Sequence, residues 1–200
     1  MAKESLRDKI LEAGLKVMFR SGYSGSGVRD IVAEAGAPQG SFTNHFRSKE
    51  AFAGAVLDRY FAHTRELVSQ ALDDRSLTPR ARIRRYLDII ALRLEGDAYA
   101  RGCLIGDLSL ETSATSEALR ERLAAIFLEW RQPFAACIAE AQMAGEIDAA
   151  FAPDDLADFL LSSWQGAILR MKVDRGPQAL ERFKTIAFQT VFREVNNERS

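Results

Sequence analysis

The sequence predicts an all-α protein of about nine helices. Apolar residues recur three and four positions apart through most of the 200 residues. No segment of alternating apolar and polar residues is long enough to indicate a convincing strand. Glycine, proline and Ser/Thr clusters divide the chain into pieces of ordinary helix length, which supports the same fold class.

The first predicted helix covers residues 4 to 21 and ends at Gly22. Its apolar positions would supply the core of the N-terminal region, and they are Leu6, Ile10, Ala13, Leu15, Val17, Met18 and Phe19. A short amphipathic helix follows, with Ser26 as its expected N-cap. Its apolar stripe is Val28, Ile31, Val32 and Ala35.

A tight turn is predicted after this second helix. Gly36 can adopt the left-handed conformation in which many helices end. Pro38 disfavours helical angles at Ala37, so the helix cannot continue through the turn.

A third helix is predicted from Gln39 to about Arg47, with Phe42 and Phe46 as buried anchors four residues apart. Its other face is small and polar, and consists of Gln39, Gly40, Ser41, Thr43, Asn44 and His45. Such side chains can bond to base edges or phosphates, and glycine lets a backbone come close to DNA. Two short helices joined by such a turn have the arrangement in which the second helix can lie in the major groove of DNA. The alternative is that residues 39–47 only connect two core phenylalanines.

A long helix is predicted from Lys49 to about Asp73, and five more fit between residues 78 and 196. The last two are strongly apolar, through Leu156, Phe159, Leu160, Leu161, Trp164, Ala167, Ile168, Leu169 and Met171 in one, and Leu180, Phe183, Ile186, Phe188 and Val191 in the other. A helix that is apolar on most sides is buried on most sides. One face is therefore either a subunit interface or part of a monomer core.

The stretch YSGSGVRDIVAEAGAPQGSFTNHFRSKEAF, at residues 23–52, resembles the helix-turn-helix of TetR-family transcriptional regulators. The resemblance implies a three-helix DNA-binding domain in residues 1–50 and an effector-binding and dimerisation domain in residues 51–200. It also implies DNA-facing roles for Arg29, Gln39, Ser41, Thr43, Asn44 and His45, with Lys49 on the phosphate backbone. The resemblance further implies a homodimer, paired through the two C-terminal helices, that reads a near-palindromic operator. The two recognition helices would lie about 34 to 36 Å apart.

Two further stretches, YARGCLIGDLSLETS at residues 99–113 and WQGAILRMKVDRG at 164–176, resemble a TetR subgroup associated with small electrophiles or reactive carbonyl compounds. Cys103 lies near Arg101, whose charge would favour the reactive thiolate. Lys172 is a candidate partner for Cys103 as a charge or a nucleophile. The alternative is that Cys103 is an inert core thiol, which is the interpretation we favour for Cys137.

The alternative to a reactive Cys103 is a pocket in which an effector binds non-covalently. Small-molecule pockets combine aromatic walls with a few polar groups. The residues that could supply these are Tyr86, Tyr99, Phe127, Trp130, Phe134, Trp164 and Gln165, although most of them should be core.

Composition is compatible with DNA binding without demanding it. The net charge is −1, but residues 1–50 hold eight Lys or Arg against six Asp or Glu. No apolar run is long enough for a membrane span, and the N-terminus lacks a signal-peptide core, so we expect a cytoplasmic protein. Cys103 and Cys137 form no CxxC pair and should remain thiols.

We expect neither an enzyme nor a metal or cofactor site. Helical di-metal sites need repeated Glu-x-x-His pairs, whereas the histidines here are His45 and His63 and neither has that spacing. The sequence also lacks a P-loop, a G-x-S-x-G motif and an H-E-x-x-H motif. A helical scaffold that binds proteins and no DNA remains the alternative to a regulator.

Overall fold

The computed structural model describes residues 5–195, which contain nine helices and no strand. The helices are α1 (Leu6–Ser21), α2 (Val28–Glu34), α3 (Ser41–His45), α4 (Lys49–Leu72), α5 (Pro79–Gly96), α6 (Leu104–Thr112), α7 (Glu117–Met143), α8 (Pro153–Asp174) and α9 (Gln178–Gln189). The all-α prediction is confirmed, including the five helices after residue 78.

The chain divides into two compact units. The first contains the residues up to Thr64 together with Leu104–Ile126, and the second contains Arg65–Cys103 together with the residues from Phe127 onward. Helices α4 and α7 each contribute to both units. The structural division is therefore discontinuous in sequence, and it differs from the single boundary expected at residue 50.

In the first unit, a cluster of three phenylalanine rings fixes α3 against α4. The ring centroids of Phe42 and Phe52 are 5.0 Å apart, and those of Phe46 and Phe52 are 4.7 Å apart. All three side chains are buried. The predicted anchoring role of Phe42 and Phe46 is confirmed, and aromatic pairs at these separations add to the stabilisation from burial.

Two local details of the N-terminal region differ from the sequence-based expectation. Gly27, not Ser26, is the N-cap of α2, because the Ser26 hydroxyl donates to the Tyr23 carbonyl oxygen at 2.8 Å and is unavailable as a cap. Asp30 instead accepts from the Gly27 amide at 3.3 Å. Helix α3 is also shorter than the predicted 39–47, since Gln39 and Gly40 belong to the preceding turn.

In the second unit, the Arg82 side chain is buried and its guanidinium has two acceptors. It donates to the Leu72 carbonyl oxygen at 2.7 Å and to the Glu140 carboxylate. Arg75 donates to the same carboxylate at 2.6 Å. The shared acceptor ties the end of α4 and the start of α5 to α7.

Helices α8 and α9 pack against each other and also carry a second apolar face toward solvent. Their inner face includes Trp164, whose ring centroid lies 5.3 Å from that of Phe183. Outward-facing apolar residues remain strongly exposed, at 48 % for Phe159, 51 % for Leu169 and 54 % for Ile186. The part of the chain that the structure describes thus leaves an apolar surface on these two helices uncovered.

Candidate DNA-reading and effector sites

The turn between α2 and α3 has the geometry that the sequence predicts. Gly36 has φ +60°, in the left-handed region. The Ala37 amide donates to the Val32 carbonyl oxygen at 2.9 Å, which closes the turn. The helix-turn-helix, meaning α2, this turn and α3, is therefore defined by local backbone geometry as well as by its aromatic core.

Most of the predicted DNA-facing residues form an exposed polar face. On α3 this face consists of Thr43, Asn44 and His45, and the preceding turn adds Gln39 and Gly40. The Thr43 hydroxyl donates to the Gly40 carbonyl oxygen at 3.0 Å, so it braces the start of the helix. The face is free of apolar side chains and can reach a base edge or a phosphate.

Ser41 corrects the sequence-based picture of this face. It is 7 % exposed, because it begins α3 on the side that faces the core. The exposed members of the set remain predicted contacts to bases or phosphates, and Ser41 does not.

Arg29 and Lys49 precede and follow the residues of the polar face in the sequence. Arg29 is exposed near the start of α2, and Lys49 is the first residue of α4. The Lys49 ammonium lies 4.6 Å from the ring centroid of Tyr23, in the turn between α1 and α2. An ammonium over an aromatic face is attracted by the ring quadrupole.

Glu111 contacts the turn between α1 and α2, and sequence reasoning missed it. Its carboxylate accepts hydrogen bonds from the Tyr23 amide at 3.1 Å and the Ser24 amide at 2.9 Å. Glu111 lies on α6, 88 positions from Tyr23 in sequence. No local pattern indicates such a pairing, although Glu111 falls inside the distinctive 99–113 stretch.

In the second unit, Cys103 is 7 % exposed and lies close enough to Tyr86 to influence its ionisation. Burial raises the pKa of Tyr86 well above its usual range, and the neighbouring Cys103 raises it further. Both groups are acids, so ionisation of one opposes ionisation of the other. Arg101, the expected source of thiolate stabilisation, has its guanidinium 3.7 Å from the Asp97 carboxylate.

The remaining effector candidates differ in how deeply their side chains are buried. Trp130 and Trp164 are buried at 3 % and 1 % exposure, and the Trp130 ring lies 6.3 Å from that of Phe127. Tyr99 is half-buried just after α5, with φ +57°. Gln165 and Lys172 are half-buried along α8. The two tryptophans are thus core residues, as the sequence suggested for most of the aromatic set.

Cys137 lies in the core of the second unit. It is 3 % exposed, and its Sγ donates to the Pro79 carbonyl oxygen at 3.2 Å. Burial raises the pKa of this thiol to about 11. The interpretation of Cys137 as a core thiol is consistent with this environment.

A groove of about 270 Å³ runs along α8 and α9. Its lining is mainly apolar and consists of Phe159, Ser163, Ala179, Arg182, Phe183, Ile186, Ala187, Thr190 and Val191. None of these residues belongs to the predicted effector set. The groove lies on the two helices that the sequence predicts as a subunit interface.

Residues 5–195 contain no group of three or more His, Cys, Asp or Glu side chains arranged to hold a metal ion. Within the same range, none of the helices combines the length and apolar character needed to cross a bilayer.

Two family descriptions match the chain. Residues 10–56 match the bacterial regulatory proteins of the tetR family, and residues 79–187 match a tetracycline-repressor-like C-terminal domain. Among known proteins, the HTH-type transcriptional repressor DhaR of Mycobacterium sp. strain GP1 is 45 % identical over 197 residues, which are 98 % of each chain. The transcriptional regulator AcuR of Cereibacter sphaeroides is 36 % identical over 87 % of this chain and 80 % of its own.

Solved structures agree with these matches. The crystal structure of a TetR regulatory protein from Rhodobacter sphaeroides superposes with a TM-score of 0.86 at 35 % identity, covering 91 % of this chain and 97 % of that one. The crystal structure of Escherichia coli NemR in its reduced form gives a TM-score of 0.84 at 26 % identity, covering 95 % and 98 %.

Proposed function

Since the chain belongs to the TetR family of bacterial regulatory proteins, and is thus a DNA-binding transcription regulator and not an enzyme, we propose that it is a homodimeric repressor. In this proposal a small molecule or an electrophile releases the repressor from its operator. In this proposal residues 1–50 read DNA, and residues 51–200 bind the effector and dimerise. The operator is a near-palindrome, with one half-site for each helix-turn-helix.

The observation that carries the DNA-reading role is the exposed polar face of α3. Asn44 and His45 are exposed, while Phe42 and Phe46 hold the same helix against the core. A rigid helix with a polar outer face suits the major groove, because its side chains can then meet base edges without reorganising. Asn44 can form two hydrogen bonds with an adenine base. Lys49 and Arg29 supply phosphate contacts.

Dimerisation through α8 and α9 accounts for the apolar surface that these helices expose. Phe159 and Ile186 line a groove whose walls are mainly apolar, and a second copy of the chain offers the same two helices in return. A two-fold interface is self-complementary, so one groove serves both subunits. Burying such a surface is favourable in proportion to the apolar area removed from water.

The effector acts on the second unit, and Cys103 is the candidate sensor. The relatives include AcuR, DhaR and NemR, and the NemR structure is of a reduced form. Cys103 is buried, and it is near enough to Tyr86 to influence the ionisation of that side chain. The Cys103 thiolate can add to the β-carbon of an α,β-unsaturated carbonyl compound: the C–S bond forms as the C=C π bond breaks, and the resulting enolate takes a proton from water. The adduct adds bulk at a buried position. A non-covalent ligand that contacts the half-buried Tyr99 and Gln165 is the second candidate signal.

The signal reaches DNA through helices that belong to both units. Helix α4 carries Lys49 at its first residue and is continuous to Leu72. A tilt of α4 changes the separation of the two recognition helices in the dimer. The effector shifts the equilibrium only to the extent that it binds the released state more tightly than the DNA-bound state.

Substitution of the α3 face tests the proposal. Asn44→Ala and His45→Ala should each weaken operator binding by about 1 to 3 kcal/mol if the side chains read bases. Affinity for scrambled DNA should stay unchanged, because it depends on phosphate contacts. An undiminished preference of both variants for the operator would contradict the assignment of α3 as the reading helix.

A further inference from the structure

Glu111 makes a two-point contact with the backbone of the turn between α1 and α2. Each carboxylate oxygen accepts one amide, Oε1 from Tyr23 and Oε2 from Ser24. Hydrogen bonds to a charged acceptor are stronger than neutral ones. Two such bonds to consecutive residues fix both the position and the orientation of the turn.

The backbone before the turn is shaped to receive this carboxylate. Gly22 has φ +71°, and a Cβ placed there would lie only 2.5 Å from the Glu111 Oε1 atom. The positive φ favours glycine at this position, and the absence of a Cβ leaves room for the carboxylate beside the backbone. At the end of α1 the Gly22 amide donates to the Met18 carbonyl oxygen, whereas the next two amides, of Tyr23 and Ser24, donate to the Glu111 carboxylate.

The same turn is linked to a predicted phosphate contact. Tyr23 carries the ring over which the Lys49 ammonium lies at 4.6 Å. We propose that Glu111 is a positioning residue for operator binding, which fixes the α1–α2 turn and, through the Tyr23 ring, holds Lys49 in place to meet the DNA backbone. This inference rests on the proposed DNA-reading function, since it concerns how the reading surface is held and not which groups read.

Two other contacts brace the same part of the first unit. The Ser116 hydroxyl, which accepts from the Leu119 amide at 3.2 Å, donates to the Glu50 carboxylate. Arg122 donates to Asp58 at 2.5 Å, linking α7 to α4. Glu111 contacts the turn before α2, whereas these pairs contact α4. The turn therefore has its own support, separate from that of the long helix.

The direction in which a charge-neutralising substitution changes operator affinity distinguishes this role from that of an ordinary surface carboxylate. Removing a negative charge near DNA strengthens binding if electrostatics alone operate. Loss of the Glu111 contact should instead weaken binding, because Lys49 and the turn would then have to be ordered when DNA binds. The two effects have opposite directions in the same assay.

The test compares Glu111→Gln with Glu121→Gln, a matched control that removes the same charge from an exposed residue of α7 in the same unit. Operator affinity is measured by fluorescence anisotropy, and exchange of the Tyr23 and Ser24 amides is measured by NMR. We expect E111Q to bind the operator about tenfold more weakly than wild type, a loss of about 1.4 kcal/mol. The two amides should exchange faster, and the salt slope should be unchanged because no cation is lost. E121Q should bind as well as wild type or slightly better.

Operator binding by E111Q that equals or exceeds that of E121Q would overturn the inference while leaving the proposed function intact. Unchanged exchange of both amides in E111Q would overturn it as well, even if the variant were globally less stable. Wild-type protein that prefers no DNA sequence would contradict the proposed function, and the inference with it.

Discussion

The Lys49 ammonium nitrogen lies 4.6 Å from the centroid of the Tyr23 ring. Lys49 opens α4 and Tyr23 lies between α1 and α2, so this contact joins the two chain segments that flank the helix-turn-helix. A lysine side chain loses considerable rotational freedom when it is fixed on a phosphate. Holding its ammonium over a ring before DNA arrives reduces that loss.

Removal of the Tyr23 ring should therefore weaken operator binding. We expect Tyr23→Leu to raise the operator dissociation constant about two- to fivefold, as an exposed cation–π contact of about 0.5 to 1 kcal/mol implies. Tyr23→Phe keeps the ring and should bind like wild type. Anisotropy titrations of both variants measure the difference, and an equal loss in the two would assign the effect to the hydroxyl group instead of the ring.

Reactivity with electrophiles should separate the two cysteines. At about pH 7.5, a thiol with a pKa near 11, as burial gives Cys137, is almost entirely protonated and reacts slowly. N-ethylmaleimide should release wild-type protein and Cys137→Ala from the operator, while Cys103→Ala should stay bound. Gel-shift titration after treatment, with mass spectrometry to locate the adduct, provides the measurement. Release of Cys103→Ala to the same extent as wild type would exclude the thiol switch and favour the non-covalent pocket.

The fold was predictable because its signals are local. Glycine at positions 22 and 36 adopts positive φ at the ends of α1 and α2, and Thr78 with Pro79 begins α5. Apolar periodicity then identifies the helices between such marks. The same locality explains the confirmed burial of Phe42 and Phe46, four residues apart.

Parts of the site depend on tertiary contacts and were not predictable. The burial of Ser41 follows from how α3 sits on its aromatic cluster, and Ser26 uses its hydroxyl on Tyr23 instead of capping α2. The contact of Glu111 with the α1–α2 turn joins residues that are distant in sequence. A composition or spacing pattern carries no information on such pairs.

The contribution of Glu140 to the free energy of unfolding should decrease as the pH is lowered. Hydrogen bonds from Arg75 and Arg82 lower the pKa of Glu140 from its ordinary 4.5 to about 2. The unfolded chain therefore takes up the proton first as pH falls, and the contribution is present above about pH 4.5 and lost towards pH 2. Glu140→Gln should lower the free energy of unfolding by about 1 to 3 kcal/mol near pH 6, because the buried Arg82 loses its charged acceptor.

Urea unfolding at about pH 6 and pH 3 measures this difference. The difference in the free energy of unfolding between wild type and Glu140→Gln should narrow at the lower pH. At about pH 3 the Glu140 carboxyl is largely protonated in the unfolded wild type and still largely ionised in the folded one, so proton uptake favours unfolding. Glu121→Gln serves as a control that should show little loss at either pH. A gap of the same size at both pH values would contradict the assigned charge pairing.

Charge placed on the α8–α9 surface should dissociate the dimer. Phe159→Glu and Ile186→Glu put a carboxylate into the apolar groove, twice in a two-fold interface, and desolvating it opposes association. Both variants should sediment as monomers at micromolar concentration. Phe151→Glu alters a residue that is 66 % exposed and outside the groove lining, so it should remain dimeric. If Phe159→Glu and Ile186→Glu both remained dimeric, the subunit interface would have to lie elsewhere.

The central claim is that this chain reads a specific DNA sequence, and its most direct test is a titration of the purified protein against the DNA that flanks its own gene. A scrambled fragment of equal length serves as the control, at two salt concentrations, and selection from random DNA extends the search if the flanking DNA contains no site. The account predicts tight binding to one near-palindromic sequence, at least about a thousandfold over scrambled DNA, that weakens as salt rises. Equal and weak binding to every sequence, including the selected pool, would contradict it.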